Sequence, residues 1–113
     1  MGEDSVRLVG CCFYRQARRA PLHGSKEALI GLARSLAGPL APHGVTVNAL
    51  APALIEGRET LLGDEDSREQ LAARVPVGRL GRPAEVAEIV HALVTSPFVT
   101  SQTVSVDGGM HPR

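Results

Sequence analysis

Two short stretches of this sequence carry residue types that could take part in chemistry at one site. Lys26 follows Gly24-Ser25 near the start of a predicted helix, and a loop at 51–55 follows a run of β-branched and aliphatic residues at 45–50. Ligands of open parallel sheets bind beyond the carboxyl ends of the strands, so this loop lies where a ligand would bind. Two other interpretations apply: Lys26 is a solvated lysine in the first turn of its helix, and Asn48 is a hydrogen-bonding residue that fixes the loop. For Asn48 we favour this structural role over a role in ligand binding.

The two cysteines offer a third, weaker possibility. Cys11 and Cys12 are adjacent and cannot link distant parts of the chain. We expect two buried thiols in a reducing cytoplasm. A vicinal disulfide, or a metal site shared with His23, is the alternative, but no further ligands follow at a useful spacing. We therefore predict no metal site.

The elements that would position Lys26 begin with a short apolar strand at 6–13. A helix is predicted at 24–40, with Ser25 as its N-cap. Two apolar stripes run along this helix, namely Leu29, Leu32, Leu36 and Leu40 on one and Ile30, Ala33 and Ala37 on the other. A helix that is apolar on two faces must be covered on both, either within a layered sheet or against another subunit.

The rest of the chain predicts a buried parallel strand at 45–50, a loop or short helix at 51–63 and a polar helix at 64–75. A turn at 78–81 leads into a further helix, in which Pro83 takes the first position and Glu85 the first turn. A strand at 102–106 ends in a tight Asp107-Gly108-Gly109 turn that needs positive φ. This order predicts an α/β fold, the C-terminal half of a Rossmann-like doubly wound parallel sheet of about three strands with flanking helices.

Composition limits the classes of protein and of partner. The 113 residues suit a single domain, and with 3% aromatic residues the core must be aliphatic. The 12 Lys and Arg residues balance the 12 Asp and Glu residues, so we expect neither nucleic acid nor a membrane surface as partner. The sequence lacks an apolar run of the roughly 20 residues that span a membrane, and we expect a cytoplasmic protein.

Several ordered motifs give the sequence a family resemblance. They are Gly24-Ser25-Lys26, VTVNALAP at 45–52, RLGRPAEVA at 79–87 and VDGG at 106–109. Together they resemble the C-terminal half of the short-chain dehydrogenase/reductase family, and within it the 3-oxoacyl-carrier-protein reductase type. The resemblance implies one partial domain over 1–113, with an atypical N-terminal segment at 1–23 and a family-like region at 24–109.

The resemblance also implies roles for particular residues. The family's active centre is a Tyr-x-x-x-Lys pair, in which the Lys lowers the pKa of the Tyr hydroxyl and holds the cofactor ribose. Lys26 matches the Lys as a catalytic and cofactor-binding residue, but Leu22 stands in the Tyr position and cannot transfer a proton. The residues that match the family's nicotinamide loop are Pro52, Ala53, Leu54 and Ile55. There, Ala53 replaces a Gly, and Gly57 falls where the family has a Thr.

The resemblance leaves two functional hypotheses. The first is an oxidoreductase that transfers hydride between NAD or NADP and a small carbonyl or alcohol substrate. It is truncated, it lacks the Tyr and the glycine-rich phosphate turn, and it has little activity alone. The alternative is a noncatalytic oligomerisation module that pairs with itself or with a family relative, because in the family the Lys-bearing helix and the last helix and strand form subunit interfaces.

Overall fold

The computed structural model describes residues 7–11, 20–57 and 64–110, with side chains from Glu27 onward. The strands are β1 (Arg7–Cys11), β2 (Thr46–Pro52) and β3 (Thr103–Val106), and the helices are α1 (Ala20–Leu40), α2 (Glu65–Ala73) and α3 (Pro83–Thr95). A short 3-10 helix, Ala41–His43, joins α1 to β2, and Gly44 follows it in the left-handed conformation. Cys12 lies outside the described residues, as do the ends of the predicted first strand and residues 58–63 of the predicted loop at 51–63.

The three described strands form one parallel sheet in the order β1-β2-β3. Val9 pairs with Asn48, and Ala49 pairs with Thr103. All seven residues of β2 are buried, because this central strand has a neighbour at each edge and is covered on both faces. The predicted buried strand is confirmed, and it extends two residues further than predicted, to Pro52.

Helix α1 begins at Ala20, four residues before the predicted start. Pro21 suits the first turn of a helix, where its missing N–H has no helical partner to lose. Ser25 therefore lies inside the helix, and its prediction as an N-cap is wrong. Lys26 lies in the second turn rather than the first.

The largest packed core joins α1 to one face of β2. Ile30, Ala33 and Ala37 are buried against Val47, Ala49 and Ala51. From the other predicted stripe of α1, Leu29, Leu36 and Leu40 pack partly against this core, whereas Leu32 remains 53% exposed. The small alanines on both sides let the helix and the strand approach closely. The opposite face of β2, with Asn48 and Leu50, is also fully buried, and α3 is the second helix that contacts β1 and β2.

Helices α2 and α3 differ in how much of their surface they bury. Helix α2 is polar, as predicted; Asp64 caps it by accepting a hydrogen bond from Ser67 N at 2.8 Å, and none of its residues is buried. Helix α3 begins at Pro83 with Glu85 in its first turn, also as predicted, and it buries Leu93. After β3, Gly108 and Gly109 adopt φ values of 61° and 92°, which confirms the predicted tight turn.

Candidate functional site

The candidate cofactor loop lies at the carboxyl end of the central strand. Pro52 is the last residue of β2, and Ala53 N donates a hydrogen bond of 3.1 Å to Val106 O at the end of β3. Ala53, Leu54 and Ile55 follow β2 and are each partly exposed. The four candidate residues are therefore contiguous at the carboxyl edge of the sheet, where open α/β sheets bind their ligands.

A second anchor holds this loop on the side of α3. Ile55 pairs with Gly81 in an isolated parallel bridge, in which Gly81 N donates to Leu54 O at 2.9 Å and Glu56 N donates to Gly81 O at 2.8 Å. In a parallel bridge of this kind the groups of the flanking residues make the bonds, so the N–H and C=O of Ile55 itself point away from Gly81. The approach is close: a Cβ on Gly81 would lie 2.6 Å from Ile55 Cδ1.

The segment after α2 is tied to the end of β3. Val77 N donates to Gly108 O at 3.1 Å, and a Cβ on Gly108 would lie 2.5 Å from Val75 Cγ1. Between this segment and the loop is a recess of about 180 Å³. Its lining combines apolar Leu54, Ile55, Val75, Val77 and Val106 with charged Arg79, Glu85 and Asp107. Because sites for small molecules usually measure about 300–1,000 Å³, this recess alone is too small for a dinucleotide.

The charged groups of this region are organised around Glu85. Nη1 and Nη2 of Arg79 donate to Oε1 and Oε2 of Glu85 at 2.6 and 2.9 Å, and Arg82 N donates to Oε1 at 3.0 Å. The hydrogen bonds from Arg79, followed by that from the Arg82 backbone, lower the pKa of Glu85 from 4.5 to about 2. The same carboxylate raises the pKa of Arg79. Glu85 is therefore ionised across the physiological range and does not serve as a proton donor there.

Lys26 and Leu22 both lie on α1, one helical turn apart. Residues at this spacing share a helix face, so the backbone preserves the i, i+4 relationship on which the predicted active centre depends. The side chains of both residues lie outside the described part, as do those of Cys11 and His23. The role of Lys26 stays a prediction.

Asn48 is a hydrogen-bonding residue, as we favour, but the segment that it fixes is 99–102 and not the loop at 51–55. Its side chain is 1% exposed; Nδ2 donates to Val99 O at 3.0 Å, and Oδ1 accepts from Gln102 N at 3.1 Å. The segment it holds connects α3 to β3, at the end of the sheet opposite to the candidate cofactor loop. Asn48 therefore positions the last strand and does not face the candidate cofactor site.

Sequence reasoning missed the groups that anchor the loop. Gly81 and Val106 lie far from the loop in sequence, and neither residue type predicts a backbone hydrogen bond with residues 53–56. The sequence gives only a weak indication of the ion pair between Arg79 and Glu85, namely two opposite charges six residues apart on either side of a predicted helix start. That spacing alone does not predict an ion pair.

Neither a metal site nor a membrane span emerges from the described part of the chain. Among the residues that the structure describes, no three His, Cys, Asp or Glu side chains come together as metal ligands. In the same part of the chain, none of the helices has the length and apolarity needed to cross a bilayer.

The described strands form a parallel sheet in the order β1-β2-β3, with helices in the connections and a partly exposed loop at its carboxyl edge. This architecture defines the protein as an α/β domain of the Rossmann-like class. The family model described as enoyl-(acyl carrier protein) reductase matches residues 14–111. Together with the relatives below, this match shows that the chain belongs to the short-chain dehydrogenase/reductase family. The predicted fold class and family resemblance are both confirmed.

Two curated relatives illustrate the similarity in sequence. The chain is 45% identical over 86 residues to carbonyl reductase family member 4 of Xenopus tropicalis, covering 76% of this chain and 35% of the relative. It is 39% identical over 97 residues to the 3-oxoacyl-(acyl-carrier-protein) reductase FabG of Salmonella typhimurium, covering 84% of this chain and 40% of the relative. The chain thus spans between about a third and two fifths of these relatives.

Solved structures show the same similarity in three dimensions. The F189W actinorhodin polyketide ketoreductase with NADPH superposes with a TM-score of 0.85 at 30% identity, covering 94% of this chain and 47% of that one. A short-chain dehydrogenase/reductase from Brucella melitensis gives a TM-score of 0.84 at 26% identity, covering 95% of this chain and 46% of that one. YwfH, an NADPH-dependent reductase involved in bacilysin biosynthesis, gives 0.83 at 25% identity, with 95% and 47% covered.

Proposed function

We propose that this protein is a nicotinamide-dependent oxidoreductase whose loop at 52–55 holds the nicotinamide end of NAD or NADP. The observation that carries the proposal is the loop itself, which is anchored to β3 through Ala53 and to Gly81 through the bridge at Ile55. The names of the relatives support it, because they describe a carbonyl reductase, an acyl-carrier-protein reductase and enzymes that use or bind NADPH.

The donor set of the loop fits a nicotinamide carboxamide. Ile55 directs one main-chain donor and one main-chain acceptor away from Gly81. A primary carboxamide offers one acceptor and two donors in a plane, so it can pair with both groups at once. The contact needs no side-chain hydroxyl, which matters because Gly57 stands where the family pattern has a Thr.

Lys26 is proposed as the second contact, through its place on α1. A lysine cation there would bind the ribose of the cofactor, and it would lower the pKa of a hydroxyl one turn earlier on the same helix face. When bound, a reduced nicotinamide supplies hydride to a carbonyl carbon. Leu22 cannot deliver the matching proton, so we propose that the 113-residue chain binds cofactor but turns over a carbonyl substrate slowly.

The first experiment measures cofactor binding. We expect NADH or NADPH to bind saturably in a fluorescence titration of the folded protein. Ile55→Pro removes the main-chain donor while leaving both bridge hydrogen bonds possible, and we expect it to weaken binding about tenfold. Ile55→Val, which keeps the donor, is the matched control. Absence of saturable binding by a folded sample contradicts the proposal.

The second experiment restores the missing hydroxyl. Leu22→Tyr recreates the Tyr-x-x-x-Lys spacing, and we expect it to raise the rate of carbonyl-dependent NADPH oxidation by about 100-fold or more. Leu22→Phe adds the ring without the hydroxyl and controls for packing. Equal rates for the two variants would contradict the role assigned to position 22.

The alternative function is a noncatalytic oligomerisation module. Exposed apolar side chains favour it, since Leu32 is 53% exposed on α1, and Val94 and Phe98 are 43% and 100% exposed at the end of α3 and after it. A second copy or a family relative would cover them. We expect Leu32→Glu to lower the oligomer mass measured by sedimentation velocity, whereas Arg34→Glu, at an exposed position of the same helix, leaves the mass unchanged. A cytoplasmic location is proposed for both functions.

A further inference from the structure

We propose that Glu85 is a positioning residue for the candidate cofactor loop, acting through Arg79 and Gly81 to hold Ile55 in place. The inference rests on the proposed function for the identity of the ligand. Its structural part concerns how the turn before α3 is fixed, and it can be tested without any ligand. In the hydrogen bonds described, Glu85 contacts neither the backbone of the loop nor the N–H and C=O of Ile55, which are the groups proposed to bind the carboxamide.

Four nitrogen atoms donate hydrogen bonds to the carboxylate of Glu85. Both Nη atoms of Arg79 form a fork on the two oxygens of Glu85, while the backbone N and the Nε of Arg82 donate to Oε1 at 3.0 and 3.3 Å. Arg79 Nη1 also donates to Leu80 O at 3.1 Å. A planar fork on a carboxylate fixes direction as well as distance. Glu85 thereby holds both sides of Gly81 in one arrangement.

Gly81 joins this turn to the candidate cofactor loop. Gly81 gives its N–H to Leu54 O and takes the N–H of Glu56, and these two bonds bracket Ile55. The close approach of Ile55 Cδ1 to Gly81 leaves little room for the loop to shift without moving the turn. A displacement of the turn is therefore passed directly to Ile55.

The ion pair between Arg79 and Glu85 serves the geometry of the turn more than the stability of the fold. The side chains of Arg79 and Glu85 are 50% and 33% exposed, and exposed ion pairs contribute little to folding. The loop has another tether, an ion pair of 3.8 Å between Arg68 and Glu56, but both partners are about 40% exposed and the contact is long. The short fork at Glu85 is the stronger constraint of the two.

A loop that is held in its binding conformation binds more tightly than one that must be ordered by the ligand. If Ile55 occupies the productive position only part of the time, the apparent affinity falls by that fraction. Removing Glu85 is therefore expected to weaken nicotinamide binding without removing any group that contacts the cofactor.

The test measures amide hydrogen exchange by NMR in the full chain without cofactor. In Glu85→Ala and Arg79→Lys, we expect the amides of Gly81 and Glu56 to exchange about tenfold faster than in the wild type, because the fork is lost. The amide of Ala49 in β2 reports global stability, and its exchange rate should change much less than those of Gly81 and Glu56. Glu88→Ala, at an exposed acidic position of the same helix, is the matched control.

A parallel NADPH titration tests the ligand part. We expect Glu85→Ala to weaken NADPH binding about tenfold and Glu85→Gln, which keeps an acceptor for Arg82 N, to weaken it less. Unchanged exchange at Gly81 and Glu56 overturns the positioning role, whether or not the protein binds NADPH. Faster exchange with unchanged NADPH affinity overturns the link to the ligand. A wild-type protein that binds neither NADH nor NADPH overturns the proposed function, and the ligand part with it, while exchange still decides the positioning role.

Discussion

The main-chain N–H of Gln102 donates a hydrogen bond of 3.1 Å to Oδ1 of Asn48, a residue in the middle of the central strand. Nδ2 of the same side chain donates to Val99 O at 3.0 Å. One buried amide thus satisfies a donor and an acceptor on the segment that leads into β3. These hydrogen bonds fix the position of β3 on the sheet. They thereby also help to position Val106 at the end of β3, whose carbonyl accepts a hydrogen bond from the candidate cofactor loop.

Replacing Asn48 should therefore be costly for stability. Asn48→Ala leaves Val99 O and Gln102 N without their partners at a part-buried place, and we expect a loss of about 2 kcal/mol in the free energy of unfolding. Urea denaturation followed by circular dichroism measures the loss. Ser105→Ala, at an exposed position on β3, should change stability by less than about 0.5 kcal/mol. A similar effect of the two substitutions would show that Asn48 is not a structural anchor.

Much of the fold could be predicted from the sequence because its signals are local. The helix start at Pro83 and the glycine turn at 107–109 follow from the conformational limits of single residues. The burial of β2 follows from a run rich in β-branched and aliphatic residues between two turn signals. The predicted start of α1 is wrong because Ser25 is a good N-cap in isolation, whereas Pro21 suits a helix start equally well.

The candidate site was only partly predictable because its anchors depend on tertiary contacts. The position of the loop after β2 follows from the order of the elements, since a parallel strand must expose its carboxyl end. The bridge between Ile55 and Gly81 joins residues far apart in sequence through backbone atoms, which carry no residue signature. The fork between Arg79 and Glu85 likewise depends on the path of a turn that periodicity does not specify.

Ser101 offers a simple way to stabilise the protein. It has a φ of 61°, a left-handed conformation that is unfavourable for a residue with a Cβ. We expect Ser101→Gly to raise the free energy of unfolding by about 1 kcal/mol, with the hydrogen bond from its N–H to Val47 O retained. Ser101→Ala keeps the Cβ and should give no such gain. A loss of stability in the glycine variant would contradict the assigned backbone strain.

Gly108 combines a positive φ with a close contact, and the two effects can be separated. Gly108→Ala places a Cβ at φ 61° and 2.5 Å from Val75 Cγ1, so we expect a loss of about 3 kcal/mol in the free energy of unfolding. Gly78→Ala has a φ of 89° but meets nothing within 4 Å, so it should show the backbone part alone.

A double-mutant cycle completes this prediction. Val75→Ala removes the methyl group that the new Cβ would meet, so the combined Val75→Ala and Gly108→Ala variant should be more stable than the sum of the two single losses predicts. Additive losses, measured in urea, would show that steric contact with Val75 is not the reason for glycine at 108.

The ion pair at Glu85 should make a contribution to stability that disappears only in strong acid. The folded protein holds the pKa of Glu85 at about 2 instead of 4.5. A carboxylate whose pKa is lowered by folding stabilises the folded state fully above its unfolded pKa, and this contribution is lost as the pH falls through the folded value.

We therefore expect the difference in melting midpoint between the wild type and Glu85→Gln to be constant above about pH 5.5 and to vanish between pH 4.5 and about pH 2. Taking the difference cancels other acid-sensitive groups, such as Asp64, whose pKa is lowered by its hydrogen bonds with Ser67. A difference that persists unchanged at pH 2 would mean that the charge on Glu85 is not what holds the turn, and the fork to Arg79 would then owe its stabilising effect to packing alone.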